Sequence, residues 1–404
     1  MKINSGIRIY IHIPFCVRKC NYCDFLSFAG MQDSYGAYLD ALIREIKAYG
    51  NALNHCSVSS IFIGGGTPSV LETKDLCAVL ETVFESFSVN KDAEITTESN
   101  PGTLDISKLR AYANAGINRL SIGLQSTDDK LLKHLGRIHS YEEFTRNYKN
   151  AGDAGFENIN IDIMSGLPGQ TIHGFKDTLD KVVSLRPKHI SAYSLIIEEG
   201  TPFYKIYGEG CLKDNSYPSL PSEEDEREIY HLTKEILGEN GYKRYEISNY
   251  ALEGYECRHN TGYWVRDDYL GLGLGASSLY KELRWKNTAD FSQYLEADYV
   301  KAADTVLKET LSEPFEEKDV LSLREMSRLS KEESMSETMF LGLRLCRGVN
   351  LKEFSDTYDV NPESLYGEHI RRMKSENLLT EENGYLRLTE KGTDLANYVM
   401  QGFV

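Results

Sequence analysis

The sequence predicts an α/β protein: a partial, open (β/α)6 barrel followed by a mostly helical, winged-helix-like C-terminal domain. Three observations predict it. Six short apolar stretches each end in polar or Gly/Pro punctuation and lead into a helical pattern, as parallel strands joined by crossovers do. The distinctive polar residues stand at the C-terminal ends of all six stretches, as in a barrel, and not at one switch point, as in a doubly wound sheet. Towards the C-terminus the alternation gives way to helix, hairpin and helix.

The strands are read as "IRIYIHI" from Ile7, "SSIFIGGG" from Ser59, "AEITTESN" from Ala93, "NRLSIGLQ" from Asn118, "NINIDIMSG" from Asn158 and "HISAYSLII" from His189. Between the first two, "SYGAYLDALIREIKAYG" repeats Tyr38, Leu42, Ile43 and Ile46 at helical spacing. Residues 1–200 are thus expected to form the barrel. From about Glu199 the pattern changes, and residues 201–335 read as a segment that extends it. That segment opens as a loop, then becomes a helix capped by Ser222. The acidic run Glu223 to Glu226 falls in its first turn, where the helix dipole favours negative charge, so it is not read as a metal site. Residues 336–404 end in "NLLTEENGYLRLTEKGTDLANYV", the winged-helix-like domain. Acidic residues outnumber basic ones there, which favours a structural or lid role over DNA binding.

Composition sets the outer bounds. A chain of 404 residues with 41% hydrophobic and 26% charged residues is an ordinary globular protein. A net charge of −16 argues against nucleic acid as a partner. No apolar run approaches the roughly 18 residues that span a bilayer. The start "MKINSGIRIYIHI" lacks the zones of a signal peptide. Eight cysteines in such a chain are expected to be reduced thiols in the cytoplasm.

Three of them, Cys16, Cys20 and Cys23, are spaced C-x3-C-x2-C in the loop after the first strand. Zinc normally takes four protein ligands, and here a fourth would have to be His12, Asp24 or a distant residue. The spacing suits a loop wrapped round one [4Fe–4S] cubane, each thiolate holding one iron. Three cysteines leave the fourth iron open to an outside ligand. Cys56, Cys77, Cys211, Cys257 and Cys346 are isolated and are expected to be buried thiols.

With this motif the sequence resembles the radical S-adenosylmethionine (SAM) enzymes. The resemblance implies that the methionyl group of SAM chelates the open iron and that the cluster cleaves SAM to a 5′-deoxyadenosyl radical. It also gives the other strand ends a purpose. "GGGTP", Gly64 to Pro68, lacks the Lys-Ser/Thr of a phosphate loop and brings backbone close to a ligand. Glu98, Gln125 and Asp162 end strands three to five, and Arg137 follows in "LGRIHS". Such a set suits an amino acid joined to a ribose: Arg137 for the methionyl carboxylate, Gln125 and Asp162 for the ribose hydroxyls.

Further segments, "YIHIPFC", "GGGTPS", "SIGLQS", "DIMSGLPGQT", "YEISNYA" and "CRHNTGYW", are similar to the oxygen-independent coproporphyrinogen III oxidase-like family. By that resemblance Tyr10, Tyr22, Gly65, Gly66, Thr67, Glu98, Gln125, Arg137 and Asp162 match SAM-contacting positions. Two departures separate the chain from the oxidase itself. Phe25 stands where the oxidase has a fourth cysteine, and little chain precedes Cys16. Both point to the haem-chaperone (HemW-type) branch, whose H-N-x-x-Y-W signature is matched by His259 to Trp264. A third difference, "GASS" at Gly275 to Ser278 where that branch often has G-A-H-S, removes a second imidazole. The implied function is binding of a [4Fe–4S] cluster, SAM and haem, with haem passed to haem-requiring proteins. The alternative is oxidative decarboxylation of coproporphyrinogen III to protoporphyrinogen IX. Implied partners are haem or a porphyrin, a flavodoxin- or ferredoxin-like electron donor, and haem-accepting proteins, including some at the membrane surface. His259 is the expected haem contact or iron ligand, with Cys257 as its rival.

Overall fold

The computed structural model describes residues 6–211, 216–311 and 322–404. Part of the N-terminal stretch read as leader-free (1–5) and part of the loop expected before Ser222 (212–215) lie outside the described residues.

The six expected strands are β1 (Ile7–Ile13), β2 (Ser57–Gly65), β3 (Ser88–Ser99), β4 (Arg119–Gln125), β5 (Asn158–Ser165) and β6 (His189–Ser194). Each pairs in parallel with the next in chain order. The intervening helices include α1 (Tyr35–Ala52), α2 (Thr73–Ser86), α3 (Ile106–Asn114), α4 (Tyr141–Asp153) and α5 (Ile172–Ser184). Asp105, Ser140 and Thr171 cap α3, α4 and α5 by accepting a backbone N–H. β3 starts five residues before the expected Ala93, because Ser88 and Val89 pair with Ser57 and Val58 across a register shift. The polar run "NKD" hides that start.

Strand alternation divides the core into two faces. Ile9, Ile11 and Ile13 on β1, Ile61 and Ile63 on β2, and Ile159, Ile161 and Ile163 on β5 are buried on the outward face with α1, α2 and α5. Burying a side chain of this size stabilises the fold by about 1.5–3 kcal/mol. The intervening positions turn inward and are polar or aromatic: Tyr10 and His12, Ser60 and Phe62, Asn160 and Asp162.

The later chain extends both edges of this sheet. α6 (Glu223–Glu239) opens with a capping box between Ser222 and Asp225, which accounts for the acidic first turn. β7 (Lys243–Arg244) and β8 (Asn249–Ala251) add antiparallel beyond β6. α7 (Arg258–Trp264) carries the H-N-x-x-Y-W residues. β9 (Tyr269–Leu272) then lies parallel to β1, and β10 (Ser277–Tyr280), β11 (Leu283–Asn287) and β12 (Leu323–Arg328) continue as a meander. The twelve-stranded sheet runs from β12 to β7 without closing, a partial barrel.

The C-terminal domain has its own apolar core around Met339, Phe354, Ile370, Met373 and Val399. It comprises α8 (Lys331–Gly342), α9 (Leu351–Tyr358) and α10 (Pro362–Ser375), then the hairpin β14 (Leu379–Glu382) and β15 (Tyr385–Leu388), joined at its edge by β13 (Val349–Asn350). Asn383 and Gly384 turn the hairpin with φ 52° and 79°, the left-handed pair that a two-residue turn requires. Buried Arg266, just after α7, donates to Glu337 of α8 (2.9 Å) and to Glu282 (2.7 Å), and Arg284 grips the same Glu337 with two hydrogen bonds. No helix among the described residues is long and apolar enough to cross a membrane.

Of the isolated cysteines, Cys257 is buried as expected, but Cys56, Cys77, Cys211 and Cys346 are half-buried. They lie on helices and loops at the surface of the fold and so keep part of their area accessible.

Candidate metal and cofactor site

Cys16 ends a two-residue strand, Phe15–Cys16, that pairs in parallel with Phe28–Ala29. This pairing pins both ends of the loop carrying Cys20 and Cys23. All three are free thiols, Cys16 buried and the others half-buried. The Thr67 hydroxyl donates to Cys16 Sγ (3.5 Å), and Arg137 Nη1 donates to Cys20 Sγ (3.6 Å). Burial pushes the Cys16 and Cys23 thiols up, while hydrogen bonds from Thr67 and Ser27 and the Arg137 charge pull Cys16 back down. No group of three His, Cys, Asp or Glu side chains among the described residues is placed to hold a single metal ion. A cubane, in contrast, offers each thiolate its own iron, and this donor set of three thiols with a hydroxyl and a guanidinium turned towards sulfur fits one.

The strand ends surround this loop. Gly65 has φ +106°, and a Cβ there would lie 2.3 Å from the His12 ring. At Gly66 a Cβ would come within 2.6 Å of the Phe15 carbonyl oxygen. Only glycine allows the β2 end to pass this close to the cysteine loop. Gly65 N–H donates to Glu98 Oε2 (3.0 Å) at the end of β3. Burial, with nearby Asp162 adding, pushes the Glu98 carboxyl up to about 7. Asp162 is raised by burial too, although Asn160 and Ser121 each donate to it. Tyr10 turns its hydroxyl to His12 Nδ1 (3.0 Å), and burial raises that phenol and the Tyr22 phenol. Gln125 ends β4 at φ 70°, beside a register shift between Gly123 and Gln125. A non-glycine residue held there is strained, a cost that recurs at functional sites.

Arg137 Nη2 donates to Asn100 Oδ1 and to the Gly123 carbonyl, both at 2.6 Å. Asn100 in turn donates to Thr67 Oγ1 (2.8 Å), so it joins the two groups that touch cysteine sulfurs. Sequence reasoning missed Asn100; its signal was the "NPG" that directly follows β3. It also missed Tyr193, which stands inward near the end of β6 and is 39% exposed. The alternation in "HISAYS" carried that information.

His259 is the one expected site residue placed elsewhere. It lies towards the N-terminal ends of the strands and is completely buried. Nδ1 is paired with Ser60 Oγ and Nε2 with the Tyr263 hydroxyl, both at 2.9 Å, and its backbone N–H donates to Glu94 Oε1 (2.9 Å). Burial, with the Arg8 and Arg119 charges adding, lowers its pKa to about 3, so it is a neutral imidazole with both nitrogens engaged. Phe62 contacts its ring at 5.2 Å between centroids and the Tyr10 ring at 6.3 Å, and so stands between His259 and the cysteine end. Cys257, equally buried, is pushed up to about 12 by burial and donates to Glu94.

Comparison with known proteins matches residues 10–182 to the Radical SAM superfamily and residues 329–395 to the HemN C-terminal domain. The chain is 35% identical to the heme chaperone HemW of Lactococcus lactis, covering 98% of this chain and 96% of that one. It is 33% identical to the heme chaperone HemW of Bacillus subtilis over 98% of both chains. Among solved structures, coproporphyrinogen III oxidase (HemN) from Escherichia coli superposes with a TM-score of 0.80 at 23% identity, covering 99% of this chain and 90% of that one. That last likeness concerns the fold alone.

Proposed function

This chain belongs to the HemW family of haem chaperones, built on a radical SAM scaffold, and on that premise we propose that it binds haem and passes it to haem-requiring proteins. The observation that carries the reading is full-length similarity to proteins of that name, combined with a three-cysteine loop in which Thr67 faces the Cys16 sulfur and Arg137 the Cys20 sulfur. In this reading Cys16, Cys20 and Cys23 hold a [4Fe–4S] cluster. Tyr10, Tyr22, Gly65, Gly66, Thr67, Glu98, Gln125, Arg137 and Asp162 form the SAM site. The cluster, when bound, supplies an electron and an open iron. The chain's own residues do the rest: Glu98 accepts a hydrogen bond from the methionyl amino group, Arg137 neutralises a carboxylate, and Asp162 accepts hydroxyl protons in hydrogen bonds.

His259 is better read as part of the barrel's floor than as an iron ligand, because each ring nitrogen already has a partner. Phe25 at the oxidase's fourth cysteine position goes with a chaperone that does not decarboxylate porphyrinogens. Electron donor, haem acceptors and the cytoplasm belong to the same proposal. The test is anaerobic incubation of reconstituted protein with SAM, reductant and coproporphyrinogen III, beside a haemin titration. Haemin binding without vinyl products is expected. Vinyl products at catalytic turnover would replace the chaperone reading with the oxidase.

A further inference from the structure

We propose that the basic cleft between the barrel extension and the C-terminal domain is where haem docks, with its propionates on Arg244 and Arg344 and the Cys346 sulfur as an iron ligand. The proposal rests on the haem-chaperone reading above. The cleft holds about 350 Å³ and is lined from one side by Lys234 of α6 and Arg244 of β7. The C-terminal domain supplies Arg344, Cys346 and Arg387 on the other side. Among the described residues that line it, Glu390 is the one acidic side chain, and the chain as a whole carries a net −16. Four lining cations, with Glu390, Glu382 and Glu246 as the acidic groups beside them, leave the cleft with more positive than negative charge in so acidic a protein, the setting that attracts a ligand with two carboxylates.

The two arginines are poised for such a ligand. Lys234 is paired with Glu390 and Arg387 with Glu382. Arg244 and Arg344 make no close ion pair with a described residue, although the charge of Arg344 acts on Glu246 and that of Arg244 on Glu390. Arg244 Nη1 is bonded to the Tyr230 hydroxyl and its guanidinium lies over that ring. Arg344 lies 4.3 Å from the centroid of Trp264, the last residue of the H-N-x-x-Y-W signature, and its buried Nε has no hydrogen-bond partner. The Arg244 side chain is also hydrogen-bonded to Cys346, and planar guanidinium groups suit carboxylates in two-point contacts.

The lining also suits a porphyrin. Leu343, Leu345, Ile247 and Leu388 give it apolar wall. Cys346 is half-buried at the same surface, and the Arg244 charge opposes the burial that would keep its thiol protonated. Thiolate is an established haem-iron ligand class. Cys346 is also fixed in place: its N–H donates to the Tyr245 carbonyl (2.9 Å), next to a bridge between Glu246 and Leu345. A signature far from any free nitrogen of its own histidine thus reaches the cleft through Trp264 and Arg344.

Haemin titration of the full-length, cluster-loaded protein, followed by the Soret band, tests this. Wild type is compared with Cys346→Ser, which preserves shape, with Arg344→Gln and with the Arg244→Gln/Arg344→Gln pair. The serine variant is expected to shift the Soret maximum, and the double glutamine variant to weaken haemin binding about tenfold or more. The iron-free dicarboxylate protoporphyrin IX should lose affinity in the arginine variants but not in Cys346→Ser. Inorganic phosphate competing with haemin only in wild type would identify the arginines as the anion contacts. Unchanged spectrum and affinity in all variants, each shown folded by circular dichroism and cluster content, would overturn the cleft while leaving the chaperone reading standing. Wild type that binds no haemin would remove both.

Discussion

The two ends of the barrel hold similar residue types and treat them in opposite ways. At the C-terminal mouth, cysteine, arginine and glutamate sit on loops and strand ends, most of them half-buried, with sulfurs and oxygens only partly engaged. At the floor, Cys257, Arg8, Glu94 and His259 are locked together: Glu94 accepts from the His259 and Arg258 N–H groups, and Arg8 is bonded to Asp267 and to the Arg258 carbonyl. The difference is in the bonding and not in the alphabet. A floor residue whose hydrogen bonds are complete stabilises the sheet, whereas a mouth residue keeps capacity for a ligand.

The largest expected effect breaks the mouth. Replacing Cys16, Cys20 or Cys23 with Ala should abolish the [4Fe–4S] cluster in anaerobically prepared protein, because one lost thiolate leaves two of the four irons without a protein ligand. Iron and sulfide analysis with EPR checks it; full cluster content in any of the three would refute the assignment. The fold should survive, since the barrel's outward core does not involve these side chains.

His259→Ala should do the reverse, sparing the cluster and weakening the fold. It leaves the Tyr263 hydroxyl without a partner in a buried place, leaves Ser60 Oγ with its Arg8 contact alone, and opens a cavity under Phe62. A loss of about 3 kcal/mol is expected, read as a lower midpoint in urea. Unchanged stability together with lost haem binding would return His259 to the haem site.

How much of this contrast was legible in the sequence follows from the range of the interactions. The six parallel strands, the Ser222 cap and the cysteine loop are set by residues a few positions apart, and all three were readable. β9 is not legible as a strand from its local sequence: its four residues, "YLGL", acquire their role only by pairing with β1, some 260 positions away. The fate of His259 was hidden for the same reason, since Ser60 and Glu94 are 199 and 165 residues distant. A histidine beside Tyr263 and Trp264 reads equally as ligand or floor until those partners are known. Asn100 shows the middle case: its turn was visible in "SNPG", but its link between Thr67 and Arg137 needs three loops together.

Within the mouth, Arg137→Ala should weaken SAM binding without removing the cluster. Its guanidinium is held by Asn100 and Gly123 and has a buried Nε without a partner, so it is fixed before any ligand arrives. Losing one charge-assisted contact costs roughly 1.5–3 kcal/mol, about tenfold or more in affinity. Calorimetry with SAM on cluster-loaded protein decides; equal affinities would sink the role. Because Arg137 also touches Cys20, cluster content must be measured in the same sample.

The smallest effect is a pH dependence, and it separates the two ends once more. Glu98, whose carboxyl is pushed up to about 7 by burial and by Asp162, is half protonated near neutrality in the free protein. An amino group donating a hydrogen bond to it favours the ionised form, so binding lowers that pKa and releases a proton below about pH 7. The sign follows: SAM affinity should be full above pH 7 and fall as pH drops through it, by up to about tenfold per pH unit. Glu98→Gln should bind more weakly at pH 8 and lose the slope between pH 6 and 8. His259 cannot supply the same slope, because its pKa of about 3 keeps it neutral over that range. A wild-type affinity that stays flat from pH 6 to 8 would show that Glu98 does not face the amino group, and a slope that persists in Glu98→Gln would assign the proton to another group of the mouth.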